Sequence, residues 1–181
     1  TIVPFLENEL GESIRVLIDN NTSSDIQLND KEEWYNILQS LNELKVIGLS
    51  YYESVINQII SNMRSSPLNL SGLTNIHDLL SLIKYSEFLI SPDSGPIHMA
   101  TCVNKPVIGL YGVTNTVRAG PYKSKNLCVD KYNDALLKFS NKQPHEAKWR
   151  FKNNHKDVMS LISTKEVIKK IDEYYEGGRT L

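Results

Sequence analysis

Ile90-Ser91-Pro92-Asp93-Ser94-Gly95-Pro96-Ile97-His98-Met99-Ala100 decides the reading of this chain. The apolar run Phe88-Leu89-Ile90 reads as a buried strand that feeds a tight polar turn, and the turn opens directly into a helix. Gly95 is expected there because it accepts backbone shapes that a Cβ hinders. Pro96 suits the first helical turn, where its missing N–H is no loss. The helix then begins with unpaired backbone donors and the positive end of its dipole. A carboxylate (Asp93), a hydroxyl (Ser94) and an imidazole (His98) surround that end. This combination suits a phosphorylated, hydroxyl-rich ligand such as a nucleotide sugar.

On either side of the turn, strand-like and helix-like segments alternate. Upstream, Ile14–Ile18 reads as a strand that ends in the polar loop Asp19–Ser24, and Lys45–Leu49 reads as a second strand. Between them Asp30 and Glu33 have capping-box spacing, ahead of Trp34, Ile37, Leu38 and Leu41 at helical intervals. Val55, Ile56, Ile59 and Ile60 mark another helix, stopped by Pro67, and Leu68–Leu70 reads as a short strand. Asn75 is placed to cap a helix with Ile76, Leu79, Leu80 and Ile83 on its inward face. Downstream of the helix Ile97–Val103, Pro106–Leu110 is a strand, and Ser163 with Glu166 caps a last helix facing inward through Val167, Ile168, Ile171 and Tyr174. Continuous apolar strands alternating with helices predict an α/β fold, a parallel sheet covered by helices on both faces. Ligands of such sheets collect at the carboxyl ends of the strands, where this reading places Asp19–Ser24, Leu49–Glu53, Ser91–Pro96 and the loop after Leu110.

The 181 residues suit one domain. With 40% hydrophobic and 23% charged residues a packed core is expected, and a net charge of −1 gives no general pull toward nucleic acid. Cys102 and Cys128 read as small core residues of a reducing compartment, with one disulfide left open. No secretory signal and no apolar run of membrane-spanning length is found, so a cytoplasmic location is expected. The chain begins at Thr1. Either a methionine was removed or this is the downstream part of a longer protein. His77, His98, His145 and His155 show no metal-ligand spacing, and no P-loop or G-x-G-x-x-G occurs.

Asp93-Ser94-Gly95-Pro96-Ile97-His98-Met99-Ala100 resembles the D-[ST]-G-x-x-H-x-A signature of glycosyltransferase family 9, the lipopolysaccharide heptosyltransferases. The likeness continues through Lys105–Gly112 and Thr114–Tyr122, and reaches back to Gly72–Ile76 and forward to Asp157–Val158–Met159. It implies the Rossmann-like C-terminal half of a two-domain GT-B glycosyltransferase, so that residues 1–181 form one donor-binding domain. The resemblance also places the acceptor domain, with the catalytic base, outside this sequence. The implied donor is a nucleotide sugar, ADP-heptose, the acceptor is lipopolysaccharide core, and the implied site needs no cofactor and no metal. Carried over by position, Asp93 holds hydroxyls of the donor sugar, Ser94 and Gly95 donate to the diphosphate, and His98 bonds phosphate or sugar. Thr22 and Ser23 fall where the family's first strand of this half ends in phosphate-binding hydroxyls, Glu53 near its ribose carboxylate, and Thr74 at its adenine pocket. The family's phosphate-binding lysine has no counterpart where Gln27-Leu28-Asn29-Asp30 stands, and Lys31 lies one helical turn further on. Arg118 and Lys123 are two further cations in the loop after Leu110.

Other readings compete. Asp93 and Ser94 are also ordinary helix caps, although a cationic imidazole is unfavourable at a helix N-terminus, which points His98 toward an anion or a neutral donor role. Glu53, Thr22, Ser23 and Arg118 all have plain solvated alternatives. The basic stretch Lys138–Lys156 reads first as an exposed polar loop and second as a contact with phosphorylated lipid at the inner membrane. Trp34 and Trp149 are expected to pack. For the whole chain the alternatives are a non-catalytic nucleotide-sugar-binding or scaffold module, or a transferase using another nucleotide sugar.

Overall fold

Side chains in the strands Phe88–Pro92 and Val107–Tyr111 alternate between two apolar layers. Phe88 and Ile90 of the first, and Ile108 and Leu110 of the second, pack with Val167, Ile171 and Tyr174. Leu89, Val107 and Tyr111 point the other way, onto Leu82, Ile83, Ile97 and Ala100. A period of two with both faces buried is the mark of a sheet sandwiched between helices. Each fully buried Leu, Ile or Phe contributes roughly 1.5–3 kcal/mol to holding that sandwich together.

The computed structural model of the chain describes residues 16–19, 46–49, 61, 68–70 and 72–177. Its strands are β1 (Val16–Asp19), β2 (Val46–Leu49), β3 (Leu68–Asn69), β4 (Phe88–Pro92), β5 (Val107–Tyr111) and β6 (Val129–Asp130). They form one sheet in the order β3-β2-β1-β4-β5-β6, and every pairing is parallel. The chain steps outward from β1 to β3 and then returns to lay β4 on the other side of β1, with Ile18 opposite Ile90. That reversal parts the connections leaving β1 and β4 and opens a crevice at their carboxyl ends.

The described helices are α1 (Ile76–Tyr85), α2 (Gly95–Cys102), α3 (Thr116–Ala119), α4 (Tyr132–Ser140) and α5 (Thr164–Glu176). Asn75 caps α1 as expected, accepting from the N–H groups of His77 and Asp78. The expected inward face of α1 is rotated, however. Ile76 is 68% exposed and Leu80 is exposed, whereas Leu82 and Ile83 are fully buried. The row that meets the core is Leu79, Leu82, Ile83 and Ser86, spaced i, i+3, i+4, i+7, and Ile76 sits in the first turn beyond the reach of that layer. The Ser163–Glu166 capping box opens α5, and Val167, Ile171 and Tyr174 are buried on it, with Ile168 half-buried. Phe88 meets Tyr174 edge-on at 5.2 Å between ring centres.

Three other expectations change. β4 continues through Ser91 and Pro92, and α2 starts at Gly95 rather than Ile97. Tyr132–Ser140, whose end overlaps the stretch expected to be an exposed polar loop from Lys138, is a helix whose Tyr132, Ala135 and Leu136 are buried at i, i+3, i+4. Cys102 lies exposed on the outer face of α2, while Cys128 is buried, and both thiols are free. Burial pushes the Cys128 thiol up to about 11. Gly109 makes room for the Tyr111 ring, since a Cβ there would stand 2.7 Å from Tyr111 Cε2 and 2.9 Å from Cys128 Sγ. The helices expected around Trp34 and at Val55–Ile60 lie outside the described residues, apart from the helical Ser61.

Candidate functional site

The signature turn leaves the carboxyl end of β4 at the sheet's reversal. Ser91 and Pro92 are buried, and Pro92 stands opposite Leu110 at the last step of the ladder. Ser94 is the N-cap residue of α2 with extended backbone, yet its side chain makes no capping hydrogen bond. Its hydroxyl lies 2.8 Å from that of Ser91, which donates to the Pro92 carbonyl. Asp93 makes no hydrogen bond or ion pair with a described residue. Neither residue therefore serves as the ordinary side-chain cap of α2. Because first-turn N–H groups have no partner within their own helix, those of Gly95 and Ile97 remain directed out of the end of α2.

Gly95 is not there for its conformational freedom, contrary to expectation. Gly72 is the only described glycine with positive φ, and a Cβ on Gly95 would meet no heavy atom within 4 Å. Nothing in the described protein requires glycine at this position, and the space in front of it is open. His98 is exposed one turn along. It shares a helix face with Gly95 by i, i+3 spacing.

The loop after β5 forms the neighbouring wall. The buried Tyr111 hydroxyl donates to the Ala119 carbonyl at 2.9 Å, which fixes α3 over the end of β5. Asn115 caps α3 by accepting from the Val117 N–H, and the Thr116 hydroxyl donates to the Asp130 carboxylate. Burial, and after it the negative charge of Asp93, raise the Tyr111 phenol above its ordinary value, whereas Arg118 opposes the rise. The charges of Asp93 and Arg118 are thus both felt by this one phenol. Arg118 Nε is buried without a hydrogen-bond partner, as is the hydroxyl of Thr114, a residue only 2% exposed. Arg118 forms no ion pair among the described residues. A buried donor without a partner costs about 1–3 kcal/mol, so an anion on Arg118 would recover energy already spent in folding this loop.

Lys123, the other cation noted in that loop, is elsewhere. It donates to Asn104 Oδ1 and, with Glu87, Lys105 and Pro106, lines a cavity of about 730 Å³ at the amino ends of β4 and β5, away from the turn. Burial pushes the Lys105 amine down, and Glu87 opposes this.

Thr74 is half-buried just before α1, at the end of the turn made by Gly72 (φ +71°). It leaves the same end of the sheet as Asp93 but from β3, three strand positions away from β4, or roughly 14 Å at ordinary strand spacing. The structure therefore groups Asp93, Ser94, Gly95 and His98, places Arg118 and Thr114 with their unpartnered polar atoms in the loop after the adjacent strand β5, and sets Thr74 apart along the crevice. Thr22, Ser23, Glu53 and Lys31 lie outside the described residues. Thr114 was passed over as a site residue in the sequence, because nothing in its neighbours reveals that its hydroxyl is sealed in without a partner. Among the described residues no group of three or more His, Cys, Asp or Glu side chains is placed to hold a metal ion.

An all-parallel sheet in this order, with an uncapped helix N-terminus at its reversal, defines a Rossmann-like fold. Solved structures share the fold. A glycosyl transferase family 9 protein from Veillonella parvula superimposes with a TM-score of 0.70 at 18% identity, covering 94% of this chain and 49% of its own. The E. coli heptosyltransferase WaaC with ADP superimposes with a TM-score of 0.64 at 15% identity, covering 89% and 44%. The model of glycosyltransferase family 9 (heptosyltransferase) matches residues 16–149, and the chain belongs to that family. The lipopolysaccharide core heptosyltransferase OpsX of Haemophilus influenzae is 35% identical over 114 residues, which are 63% of this chain and 33% of that protein. The chain thus spans about a third of this curated relative and about half of the solved chains.

Proposed function

We propose that this domain binds the nucleotide-sugar donor, ADP-heptose, of a metal-independent heptosyltransferase that extends lipopolysaccharide core. The observation that carries the reading is the uncapped N-terminus of α2 at the sheet's reversal, with open space before Gly95 and an uncommitted carboxylate beside it. The amides of Gly95 and Ile97 and the helix dipole receive the diphosphate. Asp93 accepts from hydroxyls of the sugar. His98 hydrogen-bonds phosphate or sugar, and Thr74 lines the base pocket further along the crevice. Thr22, Ser23 and Glu53 belong to the same reading as phosphate and ribose ligands.

In the transfer step the acceptor hydroxyl oxygen bonds to the sugar's anomeric carbon while the bond from that carbon to the diphosphate breaks, and negative charge builds on the leaving phosphate oxygen. Preorganised donors aimed at that oxygen stabilise the charge. Arg118, with its unspent Nε, supplies a cation there in place of the family lysine that this sequence lacks. The proton of the acceptor hydroxyl goes to a base on the acceptor domain, so residues 1–181 act as the single donor domain of a two-domain enzyme. The same reading carries a cytoplasmic enzyme in peripheral contact with the inner membrane. No described helix is long and apolar enough to cross a membrane.

Calorimetry with ADP, UDP and GDP tests the reading. ADP is expected to bind the wild type in preference to the other two, His98→Ala to weaken ADP about tenfold or more, and Asp93→Ala to weaken ADP-heptose by a similar factor, each the loss of one charge-assisted contact. Absence of nucleotide binding, or binding untouched by both substitutions, defeats it. A turnover assay of this chain alone with ADP-heptose and acceptor lipid is expected to show little or no transfer.

A further inference from the structure

The segment Lys138–Lys156 carries Lys138, Lys142, Lys148, Arg150, Lys152 and Lys156, with Glu146 as its single carboxylate, in a chain of net charge −1. The structure shows that this is not a loose polar loop. The Tyr132 hydroxyl donates to the Phe151 carbonyl at 3.1 Å, and the Asn153 amide donates to the Ala135 carbonyl at 2.7 Å. The Asn153 N–H donates to Val113, in the loop after β5. Phe139 stacks on His155 with 4.3 Å between ring centres. The segment is therefore a strap tied to α4 and to the end of the sheet that carries the site.

None of its six cations forms an ion pair among the described residues, and all but the half-buried Lys142 are exposed. Trp149, expected to pack, is 60% exposed between Lys148 and Arg150, and Leu137 on α4 is 47% exposed. A tryptophan held out in water loses the burial that its large apolar ring would gain. Unpaired cations flanking an indole are the chemistry of a bilayer interface, where the ring sits at headgroup level and the cations meet anionic lipid.

We infer that the strap 138–156 docks this domain on an anionic lipid bilayer, with Trp149 seated among the headgroups. This rests on and deepens the membrane contact of the proposed function by naming the surface, and it is independent of the nucleotide site. The test uses vesicles of phosphatidylcholine alone and of phosphatidylcholine mixed with phosphatidylglycerol. Trp34→Phe leaves Trp149 as the sole tryptophan and reporter. Binding is expected to be at least about tenfold stronger on the mixed vesicles and to fall steeply with salt, with the Trp149 emission shifting to the blue.

Lys148→Gln with Arg150→Gln is expected to lower binding about tenfold or more, and Lys165→Gln with Lys169→Gln on α5, which removes the same charge, to change it little. Equal loss in both double variants, binding without an emission shift (as a polyanion merely neutralising the lysines would give), or no binding to the mixed vesicles overturns the inference. ADP titration of the same proteins separates the two claims. Vesicle binding lost with ADP binding intact in the wild type defeats the strap alone, and ADP binding absent with vesicle binding intact defeats the nucleotide site alone.

Discussion

Gly95→Ala separates a helix start that is merely well folded from one kept bare for a ligand. The backbone at Gly95 does not have positive φ, and the added Cβ would have no heavy atom within 4 Å. Alanine therefore introduces no strain and restricts the unfolded chain, a gain of about 0.4–1 kcal/mol. In a protein of this length that raises Tm by about 1–4 °C. Binding should move the other way. A phosphate oxygen bonded to the Gly95 N–H has to come within about 3 Å of the nitrogen, through the space the methyl would enter. Losing one hydrogen bond to a charged group costs about 1.5–3 kcal/mol, or roughly ten- to hundredfold in the Kd for ADP. Scanning calorimetry and isothermal titration of one preparation measure both quantities. Gly109→Ala is the contrasting case. Its Cβ would stand 2.7 Å from the Tyr111 ring, an overpacking that costs about 1–3 kcal/mol, so stability falls while the folded fraction still binds ADP. An alanine at 95 that lowers Tm, or one that leaves ADP affinity unchanged, refutes the argument that the open space belongs to a ligand.

Arg118→Gln is expected to weaken ADP binding about tenfold or more while leaving adenosine binding unchanged; parallel losses for both ligands would show that the residue only supports the loop. Asn153→Ala removes a buried donor to the Ala135 carbonyl and should destabilise the protein by about 1–3 kcal/mol in urea titrations; a change within error would show that the strap is not tied as described. Glu166→Gln tests the junction of α4 and α5. Burial draws the Glu166 carboxyl upward, but hydrogen bonds from Lys131, at 2.6 Å, and from Ser163 outweigh it and hold the group below its ordinary value. A carboxyl depressed in the folded state adds stability above its unfolded value and loses that contribution as pH falls through the folded value. The variant should therefore melt below the wild type at neutral pH, and the gap should narrow below pH 4.5. A gap independent of pH would rule out the charge as its source.

Much of this fold could be read along the chain because its signals are local. Asn75 and Ser163 cap helices through residues three positions away, and the apolar strands Phe88–Ile90 and Val107–Leu110 are bounded by turn residues. The octapeptide Asp93–Ala100 marks the candidate site because turn, proline and helix follow one another directly. Where the reading went wrong, a distant partner decided. Ile76 and Leu80 have helical spacing as good as that of Leu82 and Ile83, but only the latter pair faces α2 and the sheet. Tyr132–Ser140 buries just Tyr132, Ala135 and Leu136, too few apolar positions to stand out among lysines and asparagines.

By itself the sequence determined the alternation of strands and helices, the capped starts of α1 and α5, and the chemical character of the turn at Asp93, all consequences of side chains acting on backbone within a few residues. The tertiary structure alone decided that β4 lies against β1, which places the turn at a crevice, and that Lys123 turns to the amino ends of β4 and β5 while Arg118 keeps an unpartnered Nε. It also decided that Gly95 faces open space and Trp149 faces solvent. Strand order and burial arise from contacts between segments tens of residues apart, and no periodicity within a single segment encodes which face another segment will cover.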